Sequence, residues 1–182
     1  KRSIIFLRQQ SKQEKGLVIA MNLQEMFAMQ KELDRHIVKK HHLEHEDLFD
    51  RKILALFVEI GELANETRCF KYWSLKPSSP QEVVLEEYVD GIHFLLSLGI
   101  ECGMEDVEEI TPAGGNVSLS EQFVKVYEAV CSFRSAKNRS SYINMLSEYL
   151  LLGKLLGFSP EAVKEAYIMK NKVNFERQEK GY

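Results

Sequence analysis

The chain has 182 residues, 45% of them hydrophobic and 28% charged, with a formal net charge of −3. That length gives one domain with a substantial core, and the mixed charge excludes the broad basic surface that polymeric nucleic acid requires. No apolar run is long enough to span a membrane, and the three cysteines (Cys69, Cys102, Cys131) form no CxxC pair, which suits free thiols in a reducing, cytoplasmic setting.

Residues 1–20 differ in character from the remainder of the chain. IIFL is too short for a signal-peptide core, and Met21-Asn22 opens a strong helical pattern. Met21 reads as the natural start, with residues 1–20 as upstream or expression-derived sequence; a native N-terminal extension is the alternative. Residues 21–182 form a single domain.

Asn22 caps a helix running to about Leu43, with an apolar stripe of Leu23, Met26, Phe27, Leu33 and Ile37. A second helix runs from about Asp47 to Arg68. An aromatic loop, residues 69–79, ends in PSSP, where Ser79 and Pro80 supply a cap and a first-turn proline. The helix they start reaches about Gly103, and residues 104–117 form a loop. Ser118 and Glu121 make a capping box for a helix ending near Ser135. Asn138 caps the next helix, which Gly157 stops. Ser159-Pro160 begins the last helix, to about Gln178. Strand signals are nearly absent. The fold class is all-α, a bundle of about six helices.

EIGELANE (59–66) sets Glu59, Glu62 and Glu66 in one narrow sector of its helix, bordering the apolar face, with Ala55 leaving room above. By itself this reads as a solvated acidic edge. The next helix changes the balance. VVLEEYVDGIHFLLSLGI (83–100) is apolar all round, as buried helices are, yet it carries Glu87 and Asp90 three apart on one face. Buried carboxylates need protonation, basic partners or a metal. Two helices that each offer an acid pair at i, i+3 build the oxygen cage that Mg²⁺ prefers, and Mg²⁺ leaves positions for phosphate oxygens. A di-iron bundle is the competing metal site, but its ExxH motif does not occur; His93 reads as a satisfied core histidine.

Gln30 and Asp34 continue the apolar stripe of the first helix, where polar groups need partners. They serve either an interhelical hydrogen bond or recognition of a nucleobase edge, for which an amide offers both donor and acceptor. Trp73 either packs within its loop or stacks on a base. Lys170, Asn174 and Arg177 share one face of the last helix, and form either a solvated basic end or a phosphate-binding stripe. The tail ending in Tyr182 could close over a ligand.

MFAMQKELD (26–34), EIGELANE (59–66), FKYW (70–73), EEYVDGIHF (86–94) and KNKVNFERQEKGY (170–182) together resemble the dimeric all-α dUTPases, within the all-α NTP pyrophosphatases that also include MazG-type enzymes. The resemblance covers Met21 to Tyr182. It implies hydrolysis of dUTP, and of dUDP, to dUMP with Mg²⁺, or Mn²⁺ as a substitute, in a homodimer. Glu59, Glu62, Glu87 and Asp90 would be the metal ligands. A metal-held water would attack the α-phosphorus, with Glu59 or Glu62 assisting its deprotonation. Gln30 and Asp34 would read uracil, with Trp73 beside the base and sugar. Lys170, Asn174, Arg177 and Tyr182 would hold the phosphates, and Lys71 would add a contact. Many members carry asparagine where this chain has Asp34; an ionised carboxylate cannot donate to a uracil carbonyl, which bears on base selectivity. A MazG-like enzyme acting on another nucleotide is the alternative.

Overall fold

The computed structural model describes residues 21–110, 112 and 117–181. Residues 1–20 and Tyr182 lie outside the described residues, so the proposed N-terminal boundary and the role of the tail do too. Six helices are described: α1 (Gln24–Lys40), α2 (Phe49–Thr67), α3 (Gln81–Glu101), α4 (Leu119–Ala136), α5 (Arg139–Leu155) and α6 (Pro160–Glu179). The all-α expectation holds. None of the described helices is long and apolar enough to cross a membrane.

Helix α3 is the axis of the bundle. It packs against α1, α2, α5 and α6, which is why its sequence is apolar on every side: Val84, Tyr88, Val89, Ile92, Leu95, Leu96 and Leu98 are all buried. Around it, α2 contributes Ile53, Leu56, Ile60 and Leu63, and α5 contributes Tyr142, Met145, Tyr149 and Leu152.

The α3–α5 contact depends on tyrosines lying over glycines. Tyr149 donates to the Tyr88 carbonyl at 2.8 Å, and Tyr142 to the Leu95 carbonyl at 3.0 Å. Both hydroxyls sit where a side chain on α3 would otherwise stand: a Cβ on Gly91 would lie 2.0 Å from the Tyr149 oxygen, and one on Gly99 would lie 2.1 Å from that of Tyr142. Glycine allows the close approach, and the second lone pair of a helical carbonyl satisfies each buried hydroxyl. On the other side, the Tyr167 hydroxyl of α6 lies 3.1 Å from the Met26 carbonyl and 2.9 Å from Gln30 Oε1, both on α1, and shares its one proton between them, fixing the last helix onto the first.

Ser118 and Asn138 cap α4 and α5 with full capping boxes, and Ser159 caps α6, as their sequences indicate. Three local features differ from the sequence expectations. Met21–Asn22 (β1) pairs antiparallel with Glu109–Ile110 (β2), a two-residue ladder too short for any alternating pattern to reveal. Helix α1 starts after Leu23; Asn22 Oδ1 instead accepts from the Gln24 amide at 3.0 Å. Ser79 does not cap α3. Pro80 is the N-cap residue, and the Ser79 hydroxyl donates to the Glu66 carboxylate.

Candidate active site

Where α2 and α3 run side by side, Glu59 of α2 meets Glu87 and Asp90 of α3. Carboxylate oxygens of all three lie within 4.8 Å of one another, and all three residues are half-buried. The spacing explains the meeting: Glu87 and Asp90 share a turn of α3, and Ile60 and Leu63 turn α2 inward so that Glu59 lies at the seam. Glu62, one turn along α2, is exposed and outside this trio. It is still near enough for its charge to push Glu59 and Glu87 upward. Glu66, farther along the same sector, is held by Ser79.

Burial in the partly dry seam, with like charges close by, raises all three carboxyls. Burial, then the charges of Asp90, Glu62 and Glu87, push Glu59 up to about 7. Burial and the charge of Asp90 raise Glu87. Burial also raises Asp90, against the opposing pull of Lys170. Among the described ion pairs, only Asp90 of the trio has a basic partner: Lys170 Nζ lies 2.7 Å from Asp90 Oδ2 and 2.8 Å from Glu86 Oε1. Hard oxygen donors with excess negative charge, gathered from two helices, fit a divalent cation.

A cleft of about 490 Å³ opens beside the trio, and Glu59 and Asp90 form part of its wall. Gln30, Asp34, His93 and Ser97 line it as well, joined in one network. Gln30 Nε2 donates to Asp34 Oδ1 at 2.7 Å; Gln30 Oε1 accepts from Tyr167 at 2.9 Å and from His93 Nδ1 at 2.8 Å. Ser97 donates to the second Asp34 oxygen at 2.6 Å. The Gln30 oxygen can only accept, so His93 carries its proton on Nδ1. Its Nε2 is then a buried acceptor without a partner among the described residues. Burial holds His93 down to about 3, so it is neutral. Burial raises Asp34, despite its bonds to Ser97 and Gln30.

The stripe Lys170, Asn174, Arg177 divides between two tasks. Asn174 and Arg177 line the cleft, whereas Lys170 points into the acid seam. Trp73 and Lys71 do not line it. Trp73 is 65% exposed and meets Phe70 and Tyr72 edge-on, while Lys71 donates to Asn65 and lies over the Phe70 ring. Sequence reading missed Ser97 and Lys52. Ser97 was findable: Asp90, His93 and Ser97 stand at i, i+3 and i+7, one polar stripe on a buried helix. Lys52 lines the cleft and pairs with Glu101 at 2.5 Å, a contact between α2 and α3 that no local spacing announces.

A family model described as dUTPase matches residues 22–182. No curated protein matches the chain.

Proposed function

The chain belongs to the dUTPase family and hydrolyses dUTP, and we propose that it does so with Mg²⁺ held by Glu59, Glu87 and Asp90, with Glu62 completing the set. The proposal extends to dUDP as a second substrate, to a homodimer and to a cytoplasmic location. The observation that carries it is the meeting of three unneutralised or partly neutralised carboxylates at the edge of a cleft whose other wall holds Gln30 and Asp34. Exposed Leu54, Val58 and Val124 on α2 and α4 favour self-association, and free Cys69, Cys102 and Cys131 favour a reducing compartment.

Bound there, Mg²⁺ would neutralise phosphate oxygens and acidify a bound water. The remaining work falls to this chain's side chains. Glu59, at the edge of the cleft, takes the proton of the water that attacks the α-phosphorus; a cation held by the trio would draw its carboxyl below the metal-free value of about 7 and so keep it ionised. Gln30 and Asp34 face the base, with His93 fixing the orientation of the Gln30 amide. Asn174 and Arg177 meet the sugar and phosphates from α6, and Lys170 adds a cation beside them. Trp73 and Lys71 complete the ligand contacts when their loop comes over the cleft, and Tyr182 is assigned a phosphate contact.

A second reading, wider nucleotide use of the MazG type, rests on Asp34. Both its oxygens accept hydrogen bonds within the chain, whereas the uracil O4 carbonyl needs a donor. A panel of deoxynucleoside di- and triphosphates, assayed for phosphate and pyrophosphate release with Mg²⁺ and after chelation, tests both. Preference for dUTP and dUDP, lost on chelation and restored by Mg²⁺, is expected. Equal turnover of all nucleotides supports the second reading, and turnover in chelator overturns the metal assignment.

A further inference from the structure

Lys170 occupies an unusual position for a phosphate-binding side chain. Its ammonium sits between Glu86 and Asp90, at 2.8 and 2.7 Å, and the side chain is only 12% exposed. The two acids stand one helical turn apart on α3 and differ in setting. Asp90 is 19% exposed and belongs to the acid trio; Glu86 is 57% exposed and does not. The ammonium therefore bridges an inner acid of the site and an outer acid that takes no part in it.

A divalent ion held by the trio would draw on the Asp90 carboxylate and would repel a nearby ammonium. Lysine has a flexible stem and a compact charge, so it can change partner without moving its helix. Glu86 already holds it from the outer side. Lys170 also keeps the Glu86 carboxyl below its ordinary value, with Arg177 adding to the pull.

We infer that Lys170 is a tethered counter-ion of the acid seam: it neutralises Asp90 before the divalent cation arrives, the cation displaces it, and Glu86 then keeps it beside the site, where a phosphate can meet it. The inference rests on the metal assignment proposed above. It makes Glu86 a positioning residue for Lys170, and it gives Lys170 opposite effects on the two ligands, resisting the metal and favouring the nucleotide.

Calorimetric titration of the full chain with Mn²⁺ alone, without nucleotide, tests it. Lys170→Met should tighten Mn²⁺ binding roughly tenfold, as removal of one partly screened charge a few ångströms away does. Glu86→Gln should weaken it about threefold, because Lys170 then has only Asp90 to hold. In the Lys170→Met background the same change should lose most of its effect, since Glu86 acts through the lysine. Lys170→Met should also weaken dUMP binding in the presence of Mn²⁺. Unchanged or weaker Mn²⁺ binding by a folded Lys170→Met chain overturns the inference and leaves the metal site standing. An equal Glu86→Gln effect in both backgrounds overturns the part given to Glu86. Should Lys170→Met fail to fold, Lys170→Arg replaces it: its charge is kept and its fork grips Asp90 harder, so Mn²⁺ must bind more weakly than to the wild type, and unchanged binding overturns the inference. No Mn²⁺ binding by the wild type removes the metal assignment itself.

Discussion

The two faces of α3 solve opposite problems. Toward α5, Gly91 and Gly99 receive tyrosine rings whose hydroxyls end on helical carbonyls, so polar atoms are buried with partners in place. Toward α2, within about one helical turn of Gly91, Glu87 and Asp90 face Glu59 with one lysine among them. The first face holds the helix; the second accumulates charge that folding alone would avoid. Binding sites of this kind reduce stability, and a well-satisfied opposite face offsets the loss.

The largest expected effect breaks the charged face. Glu59→Gln keeps shape and removes the proposed base and metal ligand, so dUTP turnover with saturating Mg²⁺ should fall by about a thousandfold, with an unchanged circular dichroism spectrum. Turnover within a few-fold of wild type would move the base elsewhere. Next comes the satisfied face. Gly91→Ala places a Cβ 2.0 Å from the Tyr149 hydroxyl, and urea unfolding should show a loss of about 2–3 kcal/mol. A change near zero would mean that the tyrosine moves freely and does not lock the helices.

The network between the faces gives a smaller, pH-dependent effect. His93 is held down to about 3 from 6.5, so between those values the unfolded chain binds a proton that the folded chain refuses. Its contribution is therefore complete above pH 6.5 and lost as pH falls, at up to about 1.4 kcal/mol per pH unit. Comparing wild type with His93→Gln from pH 7 to pH 5 should show the wild type losing up to about 2 kcal/mol more; parallel curves would mean that the histidine charges in place. The smallest effect has the opposite sign. Glu59 is raised from 4.5 to about 7, so the folded chain loses stability as pH rises through that window. Without divalent metal, Glu59→Gln should be more stable than wild type at pH 8 by about 1 kcal/mol after screening, and no more stable at pH 4.5. A chemical denaturation series at the two pH values measures it.

The helices were legible because they carry 3.6-residue apolar stripes, and Ser118, Asn138 and Ser159 cap as their identities suggest. Glu87 and Asp90 were legible because acids on a helix apolar all round require an explanation. What sequence could not give was pairing across the bundle. The glycines of α3 look like weak points until Tyr142 and Tyr149 are brought over them. Likewise, Lys170, Asn174 and Arg177 share a stripe in sequence, but the packing of α6 aims the first at Asp90 and the other two into the cleft. Glu62 and Glu59 are equivalent by spacing, and only packing against α3 makes one half-buried and leaves the other exposed.

Anomalous diffraction from crystals grown with Mn²⁺ and a non-hydrolysable dUTP analogue addresses the acid seam most directly. A peak bonded to oxygens of Glu59, Glu87 and Asp90, next to the α-phosphate, is the expected result. Density for the analogue with no peak at those oxygens would contradict it, and a peak there with Lys170 still seated on Asp90 would contradict the counter-ion role alone.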